Sequence, residues 1–213
     1  MNFSIVPTHL AVKAMRDNGY KNAAYALAEL MDNSIQAGAK HVELLCAERT
    51  IQLAQRQRRR IHQIAVLDDA EGMDRETLRM ALQFGNGTRL DAANQTGIGR
   101  FGMGLPASSI SQCQRVEVWT WQDGVENEIY TYLDLDEIAA RTMTDVPEPV
   151  AAPIPDVWRQ VGKSWAESGT LVVWSRLDRM MWRTATALFE NSEFVIGRMY
   201  RRFLADGRVK IRF

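Results

Sequence analysis

Two side chains that could share one substrate stand four residues apart in Glu29-Leu-Met-Asp32-Asn33. On a helix that spacing stacks them on one face, one turn above the other. An amide oxygen such as that of Asn33 can ligate Mg²⁺, and a carboxylate such as that of Glu29 can take a proton from water. The same pair is also what an ordinary solvated helix face carries. A second chemical stretch is Asp68-Asp69-Ala-Glu-Gly72-Met73, where an apolar strand runs into two carboxylates and a glycine. A carboxylate held at a strand end can accept a hydrogen bond from the amino group of a base, and glycine lets backbone approach closely. A plain strand-to-helix turn has the same composition.

The third stretch is Gly97-Ile-Gly99-Arg100-Phe101-Gly102-Met103-Gly104. Gly97-x-Gly99-x-x-Gly102 has the letters of a dinucleotide fingerprint, and Glu117 stands near the place of its ribose-binding acid. That fingerprint needs a buried strand directly before it, and Asn86 to Thr96 is too polar to be one. The other parse is Gly99-x-x-Gly102-x-Gly104 opening a helix, where backbone N–H groups can hold phosphate oxygens.

These residues need helices first and strands after. Spacing and end signals predict helices over Pro7–Asn18 and Asn22–Gln36, the second closed by Gly38. Ala24, Ala28, Met31 and Ile35 make its apolar stripe. Strands are expected at Val42–Cys46 and Ile61–Leu67, joined by a polar connection, Glu48–Arg60, read as partly helical. Asp74 can cap a helix to Phe84, and Met103–Ser111 reads as another helix. Gly85–Gly99 reads as a loop and Pro147–Pro155 as an irregular excursion. Further strands are expected at Val116–Gln122, Ile129–Leu135 and Thr170–Ser175, then a long helix over Thr184–Leu204. The order suggests an α+β fold, helices on one face of a mixed, mostly antiparallel sheet. After the Asp206-Gly207 turn, Arg208–Phe213 alternates as a strand. The expectation is one domain over 1–206, with 207–213 opening a following domain of a longer protein.

Bulk properties exclude several classes. The 213 residues carry 26 basic and 26 acidic side chains, so there is no global charge case for a polyanion partner. One basic run, Arg56-Gln-Arg58-Arg59-Arg60, stands apart and reads as a solvated loop in preference to a polyanion site. Two cysteines suggest a reducing cytoplasm rather than a disulfide framework. No apolar run is long enough to span a bilayer, so no membrane partner is expected. The three histidines lack metal-ligand spacing, and neither Cys-x-x-Cys nor a Gly-Lys-Ser/Thr phosphate loop is present.

In combination and order, the three stretches resemble the GHKL ATPase superfamily of gyrase B, the ninety-kilodalton heat-shock chaperones, histidine kinases and MORC proteins. The resemblance runs from about Pro7 to Arg176 and implies a Bergerat-type two-layer sandwich that uses ATP and Mg²⁺. It assigns Glu29 as general base, Asn33 as magnesium ligand and Asp68 as the adenine reader beside Gly72 and Met73. Gly99, Arg100, Phe101, Gly102, Met103 and Gly104 become a phosphate-binding lid. Gly169-Thr170 matches a late motif, with Thr170 assisting Asp68. Phe84–Arg89 and Gly99–Leu105 are most similar to the MORC lid. Two departures stand out: Ala70 replaces a glycine, and Pro106 replaces a lysine, for which Arg89 and Arg100 are candidate substitutes. The implied activity is ATP hydrolysis within a clamp-like protein, with ATP/ADP as ligand, possible ATP-dependent homodimerisation, and a protein or DNA client. A regulatory nucleotide-binding module with little turnover is the alternative, and a Rossmann oxidoreductase a more distant one.

Overall fold

In the computed structural model, residues 7–20, 22–54, 56–85 and 103–213 are described. The chain starts with α1 (Thr8–Asp17) and α2 (Ala23–Gln36). Asn22 starts α2 by accepting from the N–H groups of Ala24 and Tyr25, which the helix leaves without partners. Gly38, at φ +84°, turns the chain out of it.

Then β1 (His41–Leu53) and β2 (Arg56–Asp68) form one long antiparallel hairpin. The expected partly helical connection at Glu48–Arg60 is therefore strand. Its outer residues 56–59 are exposed, so no apolar alternation marks them, and cross-strand pairing alone holds them. Ala54 takes the turn at φ +48°. Next come α3 (Arg75–Ala81), capped by Asp74, and α4 (Gly104–Ile110). They are followed by β3 (Cys113–Trp121), β4 (Ile129–Asp134), α5 (Leu135–Ala140), β5 (Val150–Ala151), α6 (Asp156–Val161) and β6 (Gly169–Leu177). The expected long terminal helix is two, α7 (Ala185–Met199) and α8 (Arg201–Ala205), parted at Tyr200. Tyr200 is buried, and its hydroxyl donates to the Ala28 carbonyl of α2 at 2.7 Å.

The strands form one sheet in the order β5-β4-β3-β6-β2-β1-β7, where β7 is Lys210–Arg212. All pairs are antiparallel except β1 with β7. Residues 207–213, read from sequence as the start of another domain, thus contribute an edge strand to this sheet. Buried Glu43 on β1 fastens it, accepting from Arg212 as well as from Ser164 and the Lys163 N–H.

The fold is the expected α+β. On one face Leu27 and Met31 of α2 and Leu188 of α7 pack with Val42, Val66, Val172 and Trp174. The opposite face is covered too: Ile154, Trp158 and Trp165 pack on Leu67, Trp121 and Leu171. The proline-rich excursion begins this cover, and β5 within it pairs with β4. Among the described residues, no helix is long and apolar enough to cross a membrane.

Candidate functional site

Asp68 is the last residue of β2 and is 5% exposed. Register places it beside Thr170 on β6, and Thr170 beside Thr120 on β3. Three polar residues thus form one row across three neighbouring strands. Asp68 Oδ1 accepts from the N–H groups of Ala70 at 3.1 Å and Thr170 at 3.2 Å. Its Oδ2 accepts from the Ser34 hydroxyl of α2 at 2.6 Å. Burial pushes the Asp68 carboxyl up to about 6, against the pull of these three hydrogen bonds. Asp69 has another job. It accepts from the N–H groups of Lys40 and His41, each at 2.8 Å, and meets His41 Nδ1 at 2.7 Å. Of the two adjacent carboxylates, one therefore belongs to the buried row and the other ties down the start of β1.

Thr120 Oγ1 donates to the Gly169 carbonyl and accepts from the Met73 N–H, both at 2.9 Å. A hydroxyl has one proton, so Thr170 must be the donor in their 3.1 Å contact. Thr170 then keeps only acceptor capacity for anything further. Met73 is held by its backbone as well as by packing against the helix-side core. Gly72 has φ +67°, and a Cβ there would lie 2.0 Å from the Trp121 carbonyl oxygen. Its missing side chain is thus explained by the close passage of β3, where the sequence suggested approach of a base. Gly169 is similarly pinched, since a Cβ would stand 2.4 Å from the Asp68 carbonyl oxygen.

Glu29 and Asn33 lie one turn apart on α2 and are both half-buried. A Cβ on Gly104, at the start of α4, would lie 2.1 Å from Glu29 Oε1. The glycine therefore admits the carboxylate against the α4 backbone. Tyr20 also hydrogen-bonds Glu29, and burial first, then this carboxylate, raises the phenol's pKa. The Asn33 side chain makes no hydrogen bond among the described residues. Asp32, between them, is drawn to structural use: burial raises its carboxyl, and it faces Tyr200.

Gly99, Arg100, Phe101 and Gly102 lie outside the described residues, as does Arg89. Of the expected lid, Gly85, Met103 and Gly104 are described. The two ends meet, with Met103 Sδ 3.7 Å from where a Gly85 Cβ would be. Pro106 is buried in α4 and presents no charge. The Ala70 methyl, 4% exposed, belongs to the helix-side core, and φ at this position is not positive, so the departure from glycine is absorbed by packing.

One buried carboxylate ends a strand, and one helix presents a carboxylate and an amide beside a glycine-started helix. Residues 20–169 match the family model described as histidine kinase-, DNA gyrase B- and HSP90-like ATPase. This chain belongs to that ATPase family. None of the curated proteins compared matches it.

Within this GHKL-type domain, sequence reading missed three contributors. Ser34 and Thr120 bond the buried row but stand alone in sequence, marked by no motif. Ser34 follows Asn33 directly, so its place on the sheet-facing side of α2 was the available signal. Tyr20 lies just outside the helix that carries Glu29. Together they show α2 of the GHKL domain reaching the site at two points: Glu29 toward α4 and Ser34 toward β2.

Proposed function

We propose that this domain binds ATP together with Mg²⁺ and hydrolyses it, as the ATPase part of a longer, ATP-operated protein. The observation that carries this reading is the Asp68 row. A buried carboxylate fixed by Ser34, Ala70 and Thr170 retains lone pairs able to accept the amino group of adenine, with Thr170 and Met73 alongside. Family membership supports ATP as the ligand. By the resemblance, the glycine-rich stretch that ends in Met103 and Gly104 would take the triphosphate.

Mg²⁺ fits this donor set in one way. No cluster of three acidic, histidine or cysteine ligands exists among the described residues. Mg²⁺ commonly keeps its waters and takes one or two protein oxygens plus phosphates. Asn33, with its amide uncommitted among the described residues, would be that ligand, and the ion would neutralise phosphate charge. Glu29 does the protein's part of the chemistry. Water oxygen bonds to the terminal phosphorus, the bond to the ADP oxygen breaks, and the water proton passes to the Glu29 carboxylate. Tyr20 and the Gly104 backbone hold that carboxylate in place. Nucleotide-dependent pairing of two such domains would pass the energy to a client, and two free cysteines suit a reducing compartment such as the cytoplasm.

Asp68→Asn tests the row. The amide keeps the shape but turns a donor toward a donor, which costs about 1–3 kcal/mol. ATP affinity should fall roughly tenfold to a hundredfold by calorimetry. Wild-type affinity in this variant would remove Asp68 from adenine recognition.

The raised pKa adds a pH signature. Only the ionised carboxylate is purely an acceptor. Adenosine, which has no titrating phosphate, should therefore bind more weakly as pH falls through about 6. The ligand-free protein should respond with the opposite sign. A folded pKa above the ordinary 3.8 contributes stability that is complete below 3.8 and is lost as pH rises through about 6. Asp68→Asn should flatten both curves, and two unchanged profiles would contradict the assignment.

A further inference from the structure

The basic run takes no part in the nucleotide site. It forms the outer end of β2 at the tip of the β1–β2 hairpin, eight to twelve residues along the strand from Asp68, or about 26–40 Å at strand rise. Register sets Arg49 opposite Arg60, Ile51 opposite Arg58 and Leu53 opposite Arg56. Opposed residues of an antiparallel pair share a face, and so do alternate residues along a strand. Arg49, Arg56, Arg58 and Arg60 therefore lie on one face of the ribbon and Arg59 on the other. Arg49, Arg56, Arg58 and Arg59 are exposed. Among the described residues none of the five makes an ion pair. Residues 49–60 contain no acid and no aromatic side chain, in a chain whose net charge is zero.

We propose that this ribbon is a docking arm for duplex DNA, gripping its phosphate backbone. Arg56, Arg58 and Arg60 repeat every two residues, about 6.6 Å. That equals two steps of a duplex strand, at about 3.4 Å axial rise per phosphate. Guanidinium groups bind phosphate bidentately, and a two-stranded ribbon is thin enough for a major groove. Single strands and membranes fit less well, because their binders add aromatic side chains for stacking or for anchoring at the interface. The arm's charge is unpaired within the described fold, so contact with a polyanion meets no internal competitor.

The test is fluorescence anisotropy of a short labelled DNA duplex with the full chain across a salt series. The variant R56Q/R58Q/R60Q should bind at least tenfold more weakly at low salt. Its plot of log affinity against log salt should be shallower by about 2.7, the value for three lost phosphate contacts. The variant R198Q/R201Q/R202Q removes equal charge from exposed positions near the C-terminus and should stay close to wild type. Arg58→Glu alone should weaken binding too, giving a check with a single exposed change. Equal losses in the two triple variants would mean net charge, not the arm, attracts DNA. An unaffected hairpin variant overturns the proposal. So does binding of anionic vesicles or single-stranded DNA, but not the duplex, with the same arginine dependence.

Discussion

Replacing Glu29 with alanine will leave ATP bound and cut its turnover by about a hundredfold or more, the usual loss when a general base is removed. Glu29 is half-buried on α2, hydrogen-bonded by Tyr20 and admitted against α4 only because residue 104 has no side chain. None of those contacts belongs to the Asp68 row, so adenine recognition should survive the change. Glu29→Gln sharpens the test, since it keeps the size and removes the basicity. Both variants should show wild-type nucleotide affinity by calorimetry and the same collapse in steady-state phosphate release. Turnover equal to wild type in Glu29→Gln would mean that another group accepts the proton. A loss confined to affinity would mean that Glu29 binds nucleotide rather than activating water.

Gly72→Ala should damage the fold more than any other single methyl addition among the described glycines. Two independent penalties coincide there. The backbone is left-handed at φ +67°, which costs an L-residue about 1–2 kcal/mol. The new methyl would also stand 2.0 Å from the Trp121 carbonyl oxygen, a backbone atom of a paired strand that cannot swing aside. Overpacking of this kind adds about 1–3 kcal/mol or more. Domains of this sort have about 5–15 kcal/mol in total, so much of the protein's stability is at stake. Gly38→Ala supplies the comparison, because φ is +84° but nothing lies within 4 Å of the new atom. Denaturant midpoints should separate the two variants clearly. Equal midpoints would show that β3 does not press on Gly72.

Much of this was legible in sequence for physical reasons that act locally. The Asn22 cap and the Gly38 exit bound α2, and Asp74 starts α3 as expected. Asp68 was singled out because an apolar strand runs straight into it, and Thr170 only through the resemblance, at Gly169-Thr170. Thr120 was not, because its role comes from register: it matters only once β3 lies beside β6. Ser34 belongs to the same class, a common residue made important by what the sheet brings opposite. The outer hairpin was misread because exposed strands have no apolar side to alternate with. The break at Tyr200 was hidden because its anchor, the Ala28 carbonyl, is 172 residues away in sequence. The cover on the second sheet face was invisible because Trp158 and Trp165 lie in a segment whose periodicity is poor.

The central position of β6 has a consequence for synthesis. Asp68 is fixed by an N–H 102 residues further along the chain. Closing so long a loop is entropically unfavourable and is repaid only when β6 enters between β2 and β3. During translation, α2 and the β1–β2 hairpin can form from local contacts, while the buried row has no third strand. A nascent chain should therefore acquire nucleotide affinity abruptly, after β6 has left the ribosome, and not in proportion to the length already made.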